Sequence, residues 1–192
     1  MVLWKDMATK VLILVGSGRP HSDTKALGLA IERSLQARGA TTILVDLLTA
    51  DIPTVDPLYH RDPSQNPDVQ VQNLVEQVTQ ADAFVFLTPI YHNSYSGLLK
   101  NALDNLAVAQ FSGKVVGLGS NGGARTTQAV DQLRIVSRAL NTIVIPTQVC
   151  TQEADFAGEE VDAALSDQTM LDRVERFTEE LVRVSEALRA VR

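Results

Sequence analysis

Residues 16–24, Gly-Ser-Gly-Arg-Pro-His-Ser-Asp-Thr, combine the residue types that bind an anion. The glycines allow a tight turn, Ser17, Ser22 and Thr24 carry hydroxyl groups, and Arg19 carries a positive charge. The apolar spacing that follows predicts a helix, and the free N–H groups and dipole at a helix start attract negative charge. The segment therefore predicts a binding site for a mononucleotide phosphate.

The same segment also allows a plainer interpretation, an ordinary turn in which Ser22 or Asp23 caps the following helix. It contains neither G-x-x-x-x-G-K-[ST] nor G-x-G-x-x-G. The first pattern is typical of nucleoside triphosphatases and the second of dinucleotide-binding folds. Both of these classes are disfavoured.

A second segment, residues 88–97, concentrates aromatic side chains. It holds Tyr91 and Tyr95, two of the three tyrosines in the chain, and His92, one of the three histidines. Two aromatic rings in one turn can present a flat surface to a planar ligand. The alternative is that both tyrosines simply pack at the start of the next helix.

A third segment, residues 117–124, has four glycines in eight positions. Glycine permits close approach of the backbone to a ligand and exposes N–H donors, which suit a carbonyl oxygen or a ring nitrogen. This segment alone is weak support for a site. Three such segments at one edge of a sheet are much stronger support than any one of them.

The elements that position these segments follow from hydrophobic periodicity. Continuous apolar runs predict five strands, at residues 11–15, 42–45, 83–87, 115–118 and 143–145. Helical spacing of apolar residues predicts helices at residues 23–38, 71–78, 96–106, 129–140 and 168–190. Residues 47–67 contain four prolines and no sustained period, and so predict a long loop.

Strands that alternate with helices predict an α/β fold, a doubly wound parallel sheet with helices on both faces. We expect one domain over residues 1–192, with an N-terminal tail at residues 1–9 and a C-terminal helix at residues 168–190. In such sheets ligands bind beyond the carboxyl ends of the strands. All three segments follow predicted strands, so we expect them to meet at that edge.

Composition excludes several classes of protein. The 192 residues include 17 Lys and Arg against 23 Asp and Glu, a net charge of −6, which disfavours binding to nucleic acid or an anionic membrane. No run of 18 apolar residues predicts a membrane span, and the N-terminus lacks the pattern of a signal peptide, so we expect a cytoplasmic location. The single cysteine, Cys150, excludes an internal disulfide. His21 and His60 have no ligand-like neighbours, so no metal site is expected.

The chain resembles the NAD(P)H-dependent FMN reductase family over residues 10–150. The motifs that carry the resemblance are Gly-Ser-x-Arg-x-x-Ser-x-Thr at residues 16–24, Pro-x-Tyr at residues 89–91, Ser-x-x-Gly-x-Leu-Lys-Asn-x-x-Asp at residues 94–104, and the pair Gly122-Gly123. The resemblance implies a flavodoxin-like fold with five parallel strands in the order 2-1-3-4-5. It also implies hydride transfer from NADPH or NADH to N5 of FMN, with no dedicated catalytic acid or base.

The resemblance further implies which residues contact FMN. In the first segment they are Ser17, Arg19, Ser22, Asp23 and Thr24, with the three hydroxyls and the arginine on the phosphate. The Pro-x-Tyr turn and the glycine pair flank the isoalloxazine ring in the family. The implied contacts there are Pro89, Ile90, Tyr91, His92, Asn93, Ser120, Asn121, Gly122 and Gly123.

One departure bears on how FMN is used, because His92 stands where many family members have asparagine. Residues 88–100 look closer to the branch that supplies reduced FMN to sulfonate-degrading monooxygenases, where FMN leaves after reduction. The resemblance thus implies a flavin-dependent monooxygenase as partner and a homodimer or homotetramer, with helix 96–106 near the subunit interface.

Two other functions remain open at this point. The first is a quinone, azo or metal-oxyanion reductase with tightly held FMN. The second is a flavodoxin-like electron carrier without a nicotinamide site, against which Arg19 and residues 89–97 argue.

Overall fold

The computed structural model describes residues 8–158 and 161–191. The strands in this part of the chain are β1 (Lys10–Val15), β2 (Thr41–Asp46), β3 (Ala83–Pro89), β4 (Val115–Asn121), β5 (Ile143–Thr151), β6 (Phe156–Ala157) and β7 (Ala164–Leu165). The α-helices are α1 (Asp23–Ala37), α2 (Val69–Gln80), α3 (Gly97–Asp104), α4 (Val108–Phe111), α5 (Gln128–Ala139) and α6 (Gln168–Arg189). Short 3₁₀ turns cover Pro63–Gln65, Gly123–Arg125 and Glu153–Asp155. Residues 1–7 of the expected N-terminal tail lie outside the described residues.

The first five strands form one parallel sheet in the order β2-β1-β3-β4-β5. This confirms the predicted fold class and strand order. The register aligns the strand ends, since Val15 lies opposite Leu87 and Asn121 lies opposite both Pro89 and Thr151. The loops that leave β1, β3, β4 and β5 therefore start from one edge of the sheet.

Helices cover both faces of this sheet, as the continuous apolar strands predict. On one face α1 and α6 pack together, and on the other lie α2, α3, α4 and α5. The buried side chains of the first face include Leu27, Ile31, Val174, Phe177 and Leu181, and those of the second include Leu74, Leu99, Leu103, Phe111 and Leu133. No helix in the described residues is long and apolar enough to cross a membrane.

One glycine sets how closely α6 approaches the sheet. A Cβ added to Gly117 would lie 2.3 Å from Cζ of Phe177, a distance that real side chains do not show. The Phe177 ring therefore fills the space above β4 that a side chain at position 117 would occupy. Gly117 thus serves core packing rather than ligand binding.

Two predicted strands were too short. The prediction ended β4 at residue 118 and β5 at residue 145, whereas the strands continue to Asn121 and Thr151. The added residues form no continuous apolar run, since Gly, Ser, Asn, Pro, Thr and Gln surround only Val149 and Cys150. Ladder pairing of residues 118–121 with residues 148–151 nevertheless holds the strand ends in the sheet. Helix α4 and the β6–β7 hairpin were also missed, because elements of four and two residues are too short to show a period.

The proline-rich loop at residues 47–67 is tied to α3 by asparagine side chains. Oδ1 of Asn101 accepts from the backbone N–H of Val55 at 3.0 Å, and its Nδ2 donates to the carbonyl of Pro53 at 2.9 Å. Nδ2 of Asn105 donates to the same carbonyl at 3.0 Å. This explains one polar position of the helix motif at residues 94–104, Asn101, and the neighbouring Asn105 as supports for a long loop.

Candidate functional site

A cleft of about 940 Å³ lies at the carboxyl edge of the sheet, beyond β1, β3, β4 and β5. This is where doubly wound sheets bind ligands, and the volume lies at the upper end of the range for small-molecule sites. Of the fourteen residues predicted to contact a cofactor, eleven line it: Ser17, Arg19, Ser22, Asp23, Thr24, Pro89, Ile90, Tyr91, Asn121, Gly122 and Gly123. Three loops that are distant in sequence therefore meet in one place.

The other three predicted residues do not line the cleft. His92 and Asn93 are exposed at the outer end of their turn, and Ser120 is completely buried beneath the cleft floor. Their prediction came from a motif, which names neighbours in sequence without stating which way each side chain points.

The loop from β1 to α1 forms the first wall of the cleft. Ser22 caps α1, its Oγ accepting from the backbone N–H of Lys25 at 3.2 Å. Oγ of Ser17 accepts from the backbone N–H of Arg19 at 3.3 Å. A hydroxyl that accepts still has its own hydrogen to donate, so both groups can serve a ligand as well.

Thr24 is the most informative residue of this wall. It lines the cleft in the first turn of α1, only 1% of it is exposed, and its Oγ1 has no hydrogen-bond partner. A buried hydroxyl without a partner is unfavourable in a protein that binds nothing at that point. Thr24 therefore indicates a ligand with a hydrogen-bonding atom at the helix start.

Asp23, next to Thr24, is a carboxyl in an unfavourable position. Burial raises its pKa above the ordinary value, and the negative charge of Glu153 across the cleft raises it further. The hydrogen bond from Asn121 and the charge of Arg19 act in the opposite direction without cancelling the rise. The donor, Nδ2 of Asn121, lies 3.4 Å from Oδ2 of Asp23, which makes this a weak bond.

The loop after β3 forms a tight turn at the second wall. Tyr91 and Ser94 exchange backbone hydrogen bonds of 2.9 Å in both directions, with His92 and Asn93 between them at φ +48° and +62°. Two central residues with positive φ define a type I′ turn, which asparagine adopts more readily than most residues. Tyr91, which is 44% exposed, lines the cleft.

Helix α5 fixes the outer end of this turn through Gln132. Its Nε2 donates to the carbonyl of Asn93 at 2.9 Å, and its Oε1 accepts from Oγ of Ser94 at 2.6 Å. The place of Tyr91 thus depends on a side chain nearly forty positions further along the chain.

The glycine loop after β4 continues the second wall. The N–H of Gly122 donates to the carbonyl of Thr151 at 2.8 Å, and the N–H of Ile90 donates to the carbonyl of Asn121 at 3.0 Å. Gly122 and Gly123 have φ of +122° and +56°, which a side chain would strain. These contacts place the glycine loop directly beside the tyrosine turn.

The family model for NADPH-dependent FMN reductases matches residues 9–155, and the match includes the whole of both walls. The chain belongs to this family. The family assigned from the sequence motifs is thereby confirmed, and so are an enzyme, an oxidoreductase, and the use of FMN and NADPH.

Two staphylococcal proteins are similar to this reductase. An FMN-dependent NADPH-azoreductase of Staphylococcus saprophyticus is 36% identical over 148 residues, 77% of this chain and 79% of that protein. An FMN-dependent NADPH-azoreductase of Staphylococcus aureus is 34% identical over 176 residues, 90% and 93% of the two chains. Both names correspond to the azo-reductase alternative of the sequence analysis and are consistent with the main interpretation.

Solved structures support the fold. The flavoenzyme NAD(P)H:(acceptor) oxidoreductase FerB of Paracoccus denitrificans superposes with a TM-score of 0.76 at 19% identity, covering 94% of this chain and 98% of that one. An NADH:FMN oxidoreductase in its apo form gives a TM-score of 0.70 at 20% identity, covering 90% and 89%. A flavodoxin from the Archaea superposes with a TM-score of 0.62, at 13% identity over 93% and 99% of the chains.

The residues present fit FMN. The start of α1 offers a phosphate Arg19 and three hydroxyls, one of which is the unpaired buried Oγ1 of Thr24, and the adjoining walls offer backbone and an aromatic ring. Among residues 8–158 and 161–191, no three His, Cys, Asp or Glu side chains are grouped so that they could hold a metal ion.

A third wall of the cleft was missed by sequence reasoning. It is contributed by the segment after β5, with Gln152, Glu153, Ala154, Phe156, Gly158 and Ala163, and His21 and Ala124 also line the cleft. The segment shows no apolar period, and the family motifs end before it. Its only sequence signal was position, since it follows a strand that ends at the same edge of the sheet.

Proposed function

We propose that the cleft binds the phosphate of FMN at the start of α1 and the isoalloxazine ring beside the Tyr91 turn and the glycine loop. The flavin, when bound, accepts a hydride at N5 from the reduced nicotinamide. The observation that carries the proposal is the buried, unpaired Oγ1 of Thr24 next to Arg19. These groups complement a dianionic phosphate and little else in a flavin.

Each residue of the first wall has a definite part in this proposal. Arg19 supplies a full positive charge, and the hydroxyls of Ser17, Ser22 and Thr24 donate hydrogen bonds to phosphate oxygens. The N–H groups of the first turn of α1 add further donors and the positive end of the helix dipole. Asp23 is the one unfavourable group here, since burial and the charge of Glu153 raise its pKa.

The second wall presents mainly apolar groups and backbone. Pro89, Ile90 and Tyr91 provide apolar and aromatic surface, and the glycine loop lies against Ile90. Such a wall excludes water from one side of a planar ring. The N–H of Gly122 donates to Thr151, so the donors proposed to stabilise negative charge on a reduced ring are other N–H groups of the glycine loop. No dedicated proton donor is required for the hydride step.

The test compares FMN with riboflavin, which lacks the phosphate. Replacing Arg19 with Ala removes a charge-assisted bond and should weaken FMN binding about tenfold or more, while riboflavin binding stays unchanged. Arg33→Ala, on the same helix but outside the cleft, is the matched control. Titration of flavin fluorescence measures both affinities, and equal losses for FMN and riboflavin would refute the assignment.

The names of the two staphylococcal relatives favour a second proposal, that the cleft retains FMN through many turnovers and admits an azo compound. Protein dialysed extensively should then keep FMN in equal molar amount and reduce an azo dye with NADPH without added flavin. Colourless protein whose NADPH oxidation depends saturably on added FMN would instead support release of reduced flavin to a monooxygenase partner.

We also propose a homodimer or homotetramer with α3 near the interface. Leu98 of α3 is only partly buried, Val108 of the following α4 is 46% exposed, and Leu58 in the loop tied to α3 is 77% exposed. Apolar groups exposed around one helix favour contact with a second subunit. Light scattering at micromolar concentration that gives the mass of one chain would contradict this.

A further inference from the structure

The glycine loop has a strained backbone that needs support. Gly122, Gly123, Ala124 and Arg125 are four consecutive residues with φ of +122°, +56°, +54° and +62°. Left-handed conformations are unfavourable for residues with a Cβ, and here two such residues follow each other. A run of this kind persists only where surrounding contacts fix it.

The side chain of Arg125 makes such contacts with a buried carboxylate. Its Nε donates to the two carboxylate oxygens of Asp155 at 3.1 and 2.9 Å, and its Nη2 donates to the same carboxylate. Nη2 also lies 3.3 Å from Oδ2 of Asp167. Asp155 is only 1% exposed, so the pair is shielded from water on the carboxylate side.

Asp155 in turn organises the third wall. Its Oδ2 accepts from the backbone N–H of Gln152 at 3.0 Å, and its carbonyl oxygen accepts from the N–H groups of Ser166 and Asp167 at 2.9 and 3.0 Å. Gln152 and Glu153, on one side of this aspartate, and Phe156, on the other, line the cleft. One ion pair therefore joins the glycine loop to the segment that forms the third wall.

We infer that Arg125 and Asp155 are positioning residues for flavin binding, which fix the glycine loop and the third wall relative to each other. The inference rests on the proposed function of the cleft. Arg125 does not line the cleft, so it acts through the loop that it ends rather than by touching the flavin. A planar guanidinium on a carboxylate fixes orientation as well as distance, which a lysine cannot do.

The experiment measures dissociation constants of FMN and riboflavin for Arg125→Met and Arg125→Lys, at a temperature where both variants are fully folded. Because the glycine loop adjoins the ring rather than the phosphate, Arg125→Met should weaken both flavins by the same factor, about five- to tenfold. Arg125→Lys keeps the charge without the planar fork and should fall between the wild type and Arg125→Met. Arg125→Lys also provides the measurement if Arg125→Met does not fold.

Two results would overturn the inference. Weaker binding of FMN with unchanged binding of riboflavin would mean that Arg125 contacts the phosphate directly. A lower free energy of unfolding with both dissociation constants within twofold of wild type would mean that the pair serves stability only. The Arg19→Ala variant separates this inference from the proposed phosphate site. If Arg19→Ala weakens the binding of FMN and riboflavin equally, the phosphate assignment fails. If the Arg125 variants also weaken the binding of both flavins equally, the positioning role of Arg125 stands.

Discussion

The two sides of the cleft differ in how completely their buried polar groups are hydrogen-bonded. At the start of α1, Thr24 keeps a buried hydroxyl without a partner, and the carboxyl of Asp23 receives only a long hydrogen bond from Asn121. Across the cleft, Asp155 is buried and accepts bonds from Arg125 and Gln152. The first side leaves the polar groups of Thr24 and Asp23 incompletely satisfied, while both carboxylate oxygens of Asp155 on the second side accept hydrogen bonds.

This difference also appears in the pKa values of the two aspartates. Burial raises the pKa of Asp23 above its ordinary value, with too little compensation from Asn121 and Arg19. Burial acts on Asp155 in the same direction, but the hydrogen bonds from Arg125 and Gln152 and the charge of Arg125 lower its pKa overall. The side proposed to bind a phosphate thus contains a carboxyl with a raised pKa, and the side proposed to position the glycine loop contains one with a lowered pKa.

The largest effect expected from this comparison is a loss of stability when Asp155, whose carboxylate is fully hydrogen-bonded, is replaced. Asp155→Ala should lower the free energy of unfolding at pH 7 by roughly 2 kcal/mol, less than a fully buried pair would lose, because the Arg125 side chain is 34% exposed and water screens it. Urea denaturation followed by far-UV circular dichroism measures the change.

The pH dependence sharpens this prediction. Since the folded-state pKa of Asp155 is lowered, its contribution is present above the unfolded-state pKa, about 3.9, and is lost as the pH falls through the folded value. The difference between wild type and Asp155→Asn should therefore be full at pH 5–7 and shrink below pH 4. A difference that stays constant down to pH 2 would show that the carboxylate charge is not what stabilises the third wall.

An intermediate effect is expected when Thr24, whose hydroxyl has no partner, is replaced. Stability should increase and the affinity for FMN should decrease. Thr24→Val removes a buried hydroxyl that has no partner while keeping the shape of the side chain, so the protein without ligand should gain about 1 kcal/mol in the free energy of unfolding. The same change should weaken FMN binding by about tenfold, because a donor to a charged phosphate is lost.

The control for Thr24 is Ser137→Ala on α5, which removes another buried hydroxyl without a hydrogen-bond partner, away from the cleft lining. Its stability should change in the same direction, and its affinity for FMN should not change. If Thr24→Val destabilised the protein without ligand, the two sides of the cleft would not differ in the way proposed.

The smallest effect is expected at Asp23. Because its folded-state pKa is raised, the ionised carboxyl lowers stability at pH values above the folded pKa and has no such effect below the unfolded value. Asp23→Asn should therefore raise the free energy of unfolding at pH 7 by up to about 0.5 kcal/mol, and the gain should vanish below pH 4. Thermal unfolding at pH 4 and pH 7 tests this, and a loss of stability at pH 7 would contradict it.

The two sides of the cleft also differ in how much of them the sequence predicts. The first wall could be predicted from the sequence because its parts are consecutive: a strand, a turn with Ser17 and Arg19, and a helix capped by Ser22. Local sequence fixes such a unit, since the turn residues and the cap act on neighbouring backbone groups. The tyrosine turn could be predicted from a motif. A motif does not state where the side chains of His92 and Asn93 point, because turn geometry rather than residue type decides it, and neither residue lines the cleft.

By itself, the sequence determined the five strands of the main sheet and the family, because apolar periodicity and short motifs are local properties of the chain. The order of the strands was implied by the family resemblance and not by periodicity. Only the tertiary structure revealed the third wall and the pairing of Arg125 with Asp155. Those two residues lie thirty positions apart, with an edge strand between them whose second half has no continuous apolar run. An ion pair of this kind forms only once the sheet has brought the ends of β4 and β5 together, and so no local pattern encodes it.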